Sequence, residues 1–237
     1  MLDKIMENGI NARYERNIKA LSVEEMHKLH AAKVCIIGSG GLGGYIVEIL
    51  ARIGVHNITL VDFDVFDTNN LNRQLLCEEA LLGHPKADAA AARIQRVNSE
   101  VTLTPIKEAI TAENASAILT GHDVVVDALD NIQTRLMLAE SCRNLGIPLI
   151  HGSIAGWFGQ VAVILPGDTT MEKMFGQVKA QRGIEKELGN LPFTASTVAS
   201  LQAAEAVKVL VGKEVENHTV LQIDLLYGEY TRIALGK

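Results

Sequence analysis

The chain has 237 residues, of which 48% are hydrophobic and 21% charged, and its net charge is −6 at neutral pH. That length can bury a core without covalent staples, and the balance excludes a disordered chain and argues against an overall basic nucleic-acid binder. Three cysteines without a CxxC pair exclude a disulfide framework and a four-cysteine zinc site.

The first residues, MLDKIMENGINARYERN, are mixed-charge and polar, unlike a signal peptide. No uncharged apolar run reaches membrane-spanning length, so the expectation is a soluble, cytoplasmic protein. Residues 1–32 read as an N-terminal helical segment, with Ser22 and Glu25 forming a capping-box signal. Residues 33–237 read as one domain. KVCIIG (33–38) is a short apolar run that suits a strand buried on both faces. A glycine turn, the helical YIVEILARIG and a second buried run, ITLVD (58–62), complete a βαβ unit.

Pro85 precedes an alanine-rich helix over 86–98, and a strand is expected at 101–106 and a helix at 110–119. DVVVDAL (123–129) is another buried strand, 131–146 a helix stopped by Gly146, and PLIHGS (148–153) a strand. Alternation at these lengths predicts an α/β fold: a Rossmann-like, doubly wound, mainly parallel sheet. After residue 156 the pattern changes to a C-terminal mixed-sheet extension. It comprises the alternating GQVAVILP, a long helix over 194–212 and a closing hairpin of TVLQIDLL and YTRIAL turning at Tyr-Gly. Residues 167–192, charged and glycine-interrupted, read as a mobile crossover loop with room for a short helix.

Gly38, Gly40 and Gly43 fit G-x-G-x-x-G, with Gly41 inside the motif, between a predicted strand and a helix. Glycines let backbone approach a phosphate, and the helix start offers free N–H groups. Asp62 ends the next strand at the spacing of a ribose-binding carboxylate. Together these indicate an adenine nucleotide without saying which one; the alternative is a turn that only packs helix on strand. A nicotinamide-dependent (NAD) oxidoreductase is the default owner of such a pattern.

The loop 62–76 disagrees with that default. It brings Asp62, Asp64, Asn69, Asn70, Arg73 and Gln74 to the carboxyl edge of the sheet, and Lys86 opens the following helix. Hydride transfer needs no second set of phosphate ligands, whereas chemistry on a triphosphate does, because charge grows on the leaving pyrophosphate. Asp130 and Asn131 end a further strand at the same edge. Asp130 could hold Mg²⁺, and the competing reading for the pair is a helix N-cap.

With RYERN (13–17), IIGSGGLGG (36–44), LVDFDVFDTNNLNRQ (60–74), GHPKADAA (83–90), DALDNIQTR (127–135) and SLQAAEAVKVL (200–210), the chain resembles the ThiF/MoeB/HesA family of ubiquitin-activating-enzyme-like adenylyltransferases over nearly its whole length. The resemblance implies ATP attacked at its α-phosphate by the C-terminal glycine carboxylate of a ubiquitin-like sulfur carrier with a Gly-Gly tail. The products would be an acyl adenylate and pyrophosphate, in thiamine, molybdopterin or related sulfur-transfer biosynthesis. It implies Gly41 against the nucleotide, Asp62 on the ribose, and Asn70, Arg73 and Lys86 on the triphosphate. Asp130 would organise Mg²⁺, and Arg16 would be lent to a partner's ATP site across a homodimer; a plain surface charge is the other reading of Arg16.

Many members carry two CxxC pairs for structural zinc. This chain has no cysteine after Cys142, so no zinc of that kind is expected, nor a catalytic cysteine in the crossover. Cys35 and Cys142 read as buried, and Cys77 as the only one near the site. His151 reads as a hydrogen-bonded structural histidine, and Trp157 and Phe158 as either a groove wall or a core plug. The rivals are an ATP-dependent tRNA threonylcarbamoyladenosine dehydratase, the oxidoreductase, and a noncatalytic nucleotide-binding module. Nucleic acid as a partner is disfavoured by the acidic balance.

Overall fold

A computed structural model describes residues 5–6, 9–178 and 185–236. The 3₁₀ helix Ala12–Asn17 and helix α1 (Val23–Ala31) precede a strand–helix alternation: β1 (Lys33–Ile37), α2 (Gly43–Ile53), β2 (Asn57–Val61), α3 (Lys86–Val97), β3 (Thr102–Ile106), α4 (Ala112–Leu119), β4 (Val124–Asp127), α5 (Ile132–Leu145) and β5 (Leu149–Ala155). Then come β6 (Phe158–Ile164), α6 (Thr170–Phe175), α7 (Glu185–Leu188), α8 (Pro192–Val211), β7 (Thr219–Asp224) and β8 (Glu229–Ala234).

One eight-stranded sheet runs in the order β3-β2-β1-β4-β5-β6-β7-β8. The first five strands are parallel and the last three pair antiparallel, so the doubly wound sheet with a mixed extension is as expected. Order reverses between β1 and β4, where successive crossovers leave in opposite directions and open a crevice.

Side chains alternate across the central strands. Val34, Ile36, Leu60, Val124 and Val126 join one core with α2, α3 and α8. Cys35, Ile37, Val61 and Val125 join the other with α4 and α5. This two-sided burial explains why β1 and β4 read as continuous apolar runs.

The expected Ser22–Glu25 capping box opens α1. Gly146, in the left-handed region at φ 69°, ends α5. Helix α8 begins two residues before its expected start because Pro192 suits the first turn, where no N–H is needed.

The expected helix around RYERN is instead a six-residue 3₁₀ turn. Asn11 caps it by accepting from Arg13 N at 3.0 Å, and Tyr14 is drawn into the core, its hydroxyl 3.0 Å from His56 Nε2 and accepting from Asn98 Nδ2 at 2.8 Å. Lys19, at φ 88°, breaks any continuation. The crossover over 167–192 carries α6 and α7; residues 179–184 of that loop, like residues 1–4 and 7–8 of the N-terminal segment, lie outside the described residues. No described helix is long and apolar enough to cross a membrane.

Candidate active site

Two glycines of the turn are there for the fold. Gly38 has φ 99°, and a Cβ on it would lie 2.6 Å from Ala128 O. A Cβ on Gly43 would lie 1.9 Å from Gly38 O, so the turn closes on the helix start only without a side chain. Gly40 and Gly41 differ. Cβ atoms there would meet nothing nearer than 3.7 Å. The chain's own packing does not require glycine at either position, and both line a cavity of about 460 Å³ at the crevice.

That cavity brings together Gly38, Gly40, Gly41, Asp62, Asp64, Arg73, Lys86, Asp130 and Asn131. Asp62 is buried, with Oδ2 accepting from Ser39 N at 2.5 Å and Oδ1 from Asp64 N at 2.8 Å. It therefore ties the glycine turn to the end of β2. Burial pushes its carboxyl above the usual range, against the pull of those two hydrogen bonds.

Lys86 is only 6% exposed, and its ammonium sits 3.0 Å from Asp64 Oδ2. Asp64 is half exposed, so this cation is held toward the cavity by a partner that water also solvates. Arg73 Nη1 donates to Asn69 O at 2.9 Å and to Asn72 Oδ1 at 2.8 Å. Partial burial lowers the Arg73 pKa, offset in part by the negative charge of Asp130, and both residues line the cavity.

At the end of β4 the two readings of Asp130-Asn131 separate. Asn131 is the cap: its Oδ1 accepts from Thr134 N at 3.0 Å. Capping accounts for Asn131 and leaves the exposed Asp130 at the cavity to be explained otherwise.

Four expected site residues, Gly43, Asn69, Asn70 and Arg16, are not brought to this cavity. Gly43 serves packing, as above. Asn70 is buried in its own loop, where it accepts from Asp67 N at 3.0 Å and donates to Asn69 Oδ1 at 2.5 Å. Asn69 donates to Asp67 Oδ2 at 3.2 Å. Both asparagines brace the turn that carries Arg73.

Arg16 is exposed on the 3₁₀ turn. That turn is anchored by Asn17 Nδ2 donating to Ile53 O at 3.1 Å, at the far end of α2 from the glycine turn. Eleven helical residues, roughly 16 Å, separate the two ends. Cys77 is half-buried and does not line the cavity. Burial pushes the Cys142 thiol up to about 12 and that of Cys35 further still, as suits two inert core residues.

Gln74, named with the loop 62–76, lines the cavity too, as do residues that the sequence did not single out: Thr134, Arg135, Ile154 and Asn190. Asn190 reaches it because Gly156 pairs with it and Asn72 Nδ2 donates to its carbonyl at 3.1 Å, contacts spanning more than 30 and 110 residues that no local motif encodes. Arg135 and Ile154 also line an adjoining groove of about 430 Å³ with Ile132, Phe158, Met174 and Phe175. Phe158 therefore walls a groove. Trp157 is 40% exposed, packs against Phe193 with the rings 4.7 Å apart and tilted by 43°, and plugs no core. His151 is fully buried and bonded to Asp127, the structural histidine that was expected.

A glycine turn at a helix start, an acid at the next strand end, and two cations with a carboxylate at the switch point define a nucleotide-binding α/β protein that handles phosphates. Comparison with known proteins narrows the class. The ThiF family model matches residues 14–237. The chain is 35% identical over 209 residues to the SAMP-activating enzyme E1 of Haloferax volcanii, covering 84% of this chain and 75% of that one. It is 33% identical over 205 residues to the molybdopterin-synthase adenylyltransferase of Salmonella typhimurium, covering 84% and 81%. Among solved structures, E. coli MccB with ATP superposes with a TM-score of 0.84 at 22% identity, over 98% of this chain and 74% of that one. The chain belongs to the ThiF family. It is a nucleotidyltransferase of the adenylyltransferase kind.

Proposed function

We propose that the protein uses ATP to adenylate the C-terminal glycine carboxylate of a small ubiquitin-like sulfur carrier with a Gly-Gly tail. The observation that carries this reading is the meeting of two cavities: a polar one holding Arg73, Lys86 and Asp130, and an apolar groove that joins it at Arg135 and Ile154. The first suits a triphosphate and the second an extended peptide tail. The names of the similar relatives, a SAMP-activating E1 and a molybdopterin-synthase adenylyltransferase, support the same substrate class and a sulfur-transfer pathway.

The chemistry asks little of acid–base groups. A carboxylate is ionised at neutral pH and needs no general base. Its oxygen bonds to the α-phosphorus, the bridge to the β-phosphate breaks, and the electron pair leaves on pyrophosphate. The chain contributes alignment and charge. Gly40 and Gly41 let the phosphates reach the turn, Lys86 and Arg73 neutralise the leaving group, and Asp62 braces the turn and faces the ribose side.

Asp130 would hold Mg²⁺, which supplies further neutralisation of the phosphates. The donor set fits. Mg²⁺ usually takes one or two carboxylates plus phosphate oxygens and waters, and among the described residues no ready-made cluster of three His, Cys, Asp or Glu exists to hold a cation without the nucleotide. Arg16, too far from its own cavity, is assigned to the ATP site of a second copy in a homodimer.

The test is Mg²⁺-dependent ATP–pyrophosphate exchange with candidate Gly-Gly-tailed carriers, and with bulk tRNA as control. Exchange that requires a carrier supports the reading. ATP hydrolysis stimulated by tRNA without carrier-dependent exchange would replace it with the dehydratase.

A further inference from the structure

Behind the cavity, three ionisable side chains are buried together. Asp127 ends β4 and His151 lies opposite it in the register of β5; neither has exposed surface. His151 Nδ1 donates to Asp127 Oδ2 at 2.6 Å, since an ionised carboxylate can only accept. Arg135, 7% exposed, places Nε 3.7 Å from the same oxygen.

The network grips one residue of the site loop. Asp127 Oδ1 accepts from Leu129 N at 2.9 Å, and Arg135 Nη2 donates to Leu129 O. Both backbone polar groups of Leu129 are thereby held, and Asp130 is its neighbour. From behind, Gln202 of α8 donates to Asp127 O at 2.8 Å and Ile150 O at 3.3 Å. The glycine at 152 leaves the space for it, because a Cβ there would fall 2.1 Å from Gln202 Cδ.

Buried charges of this kind are poor stabilisers, since desolvation offsets much of their attraction. What they do give is fixed position. We propose that His151 is a positioning residue for Asp130: it orients Asp127, Asp127 and Arg135 hold Leu129, and Leu129 sets where the Asp130 carboxylate stands. The inference rests on the proposed role of Asp130 toward Mg²⁺-ATP. It goes beyond that role by assigning the geometry of the carboxylate to a histidine that lines neither cavity.

The test is calorimetric titration of the full chain with ATP, with and without Mg²⁺, which needs no carrier. In His151→Leu the donor to Asp127 is gone. The gain in ATP affinity that Mg²⁺ gives should shrink by about 10- to 100-fold, the usual cost of losing a partner behind a metal ligand, while Mg²⁺-free affinity stays the same. His151→Asn, whose amide N–H can stand near the Nδ1 position, should recover most of the gain. Full Mg²⁺ enhancement in His151→Leu, or a His151→Asn as impaired as His151→Leu, would overturn the proposal. Should His151→Leu not fold, Arg135→Lys serves: it keeps a charge beside Asp127 but loses the fork to Leu129 O, and an unchanged Mg²⁺ gain in it is equally fatal. Wild type that binds Mg²⁺-ATP but shows no carrier-dependent exchange would sink the proposed substrate instead. Wild type that binds no ATP would sink both.

Discussion

Replacing Gly41 by alanine should separate binding from folding. The added Cβ would sit 3.7 Å from Arg73 Cγ and from Ala195 Cβ, ordinary contact distances. The backbone at Gly41 lies outside the left-handed region, so alanine adopts it without strain. Losing glycine's freedom in the unfolded chain should leave stability unchanged or raised by about 0.4–1 kcal/mol. The same methyl occupies the approach to the turn, where a phosphate oxygen must come within hydrogen-bond distance of backbone N–H groups.

Displacing one charge-assisted hydrogen bond there costs about 1.5–3 kcal/mol, or roughly 10- to 150-fold in ATP affinity. Gly43→Ala gives the contrast. Its Cβ would overlap Gly38 O at 1.9 Å, and because that neighbour is backbone the turn itself must move, at about 1–3 kcal/mol or more of stability. Urea melts read against ATP titrations would show the two effects. A Gly41→Ala protein that binds ATP like wild type, or that is destabilised as much as Gly43→Ala, would refute the reasoning.

Other expectations follow from the same geometry. Lys86→Met leaves only the half-exposed Asp64 unpaired, so the fold should survive while carrier-dependent exchange falls by about 100-fold; mixed with an equally inactive Arg16→Ala, it should regain activity if sites are shared between copies, and no recovery despite subunit exchange would refute the sharing. Asp168 is buried and accepts from Thr170 N at 2.7 Å, His218 Nδ1 at 3.1 Å and His218 N at 3.2 Å; Asp168→Ala strands those donors and should cost about 2–4 kcal/mol in a urea melt. Burial, with His56 stacked at 4.2 Å, lowers His30 to about 4, so the folded state binds fewer protons than the unfolded state between about pH 4 and the usual histidine value of about 6.5. Stability from this group is present above that window and lost on acidification through it, at up to about 1.4 kcal/mol per pH unit and less for a half-buried ring. Wild type should therefore lose more stability than His30→Phe between pH 7 and 4.5, and parallel losses would refute the assignment.

Taken by itself, the sequence determined the features whose causes are local. The apolar runs of β1 and β4, the Ser22–Glu25 box and the stop at Gly146 each depend on residues within a turn or a strand's length. The glycine turn with Asp62 was legible for the same reason, and so was the chain's place in a family, because its motifs are contiguous. Tertiary structure decided which members of those motifs face the cavity. Asn69 and Asn70 turn into their own loop, whereas Asp130 and Asn131 both stand at the cavity, with Asn131 also capping a helix. Only folding could bring Asn190 from the crossover beside Asn72, and only strand pairing could set His151 opposite Asp127. Such contacts depend on the register and twist of a sheet built from distant segments, and side-chain spacing along the chain carries no record of them.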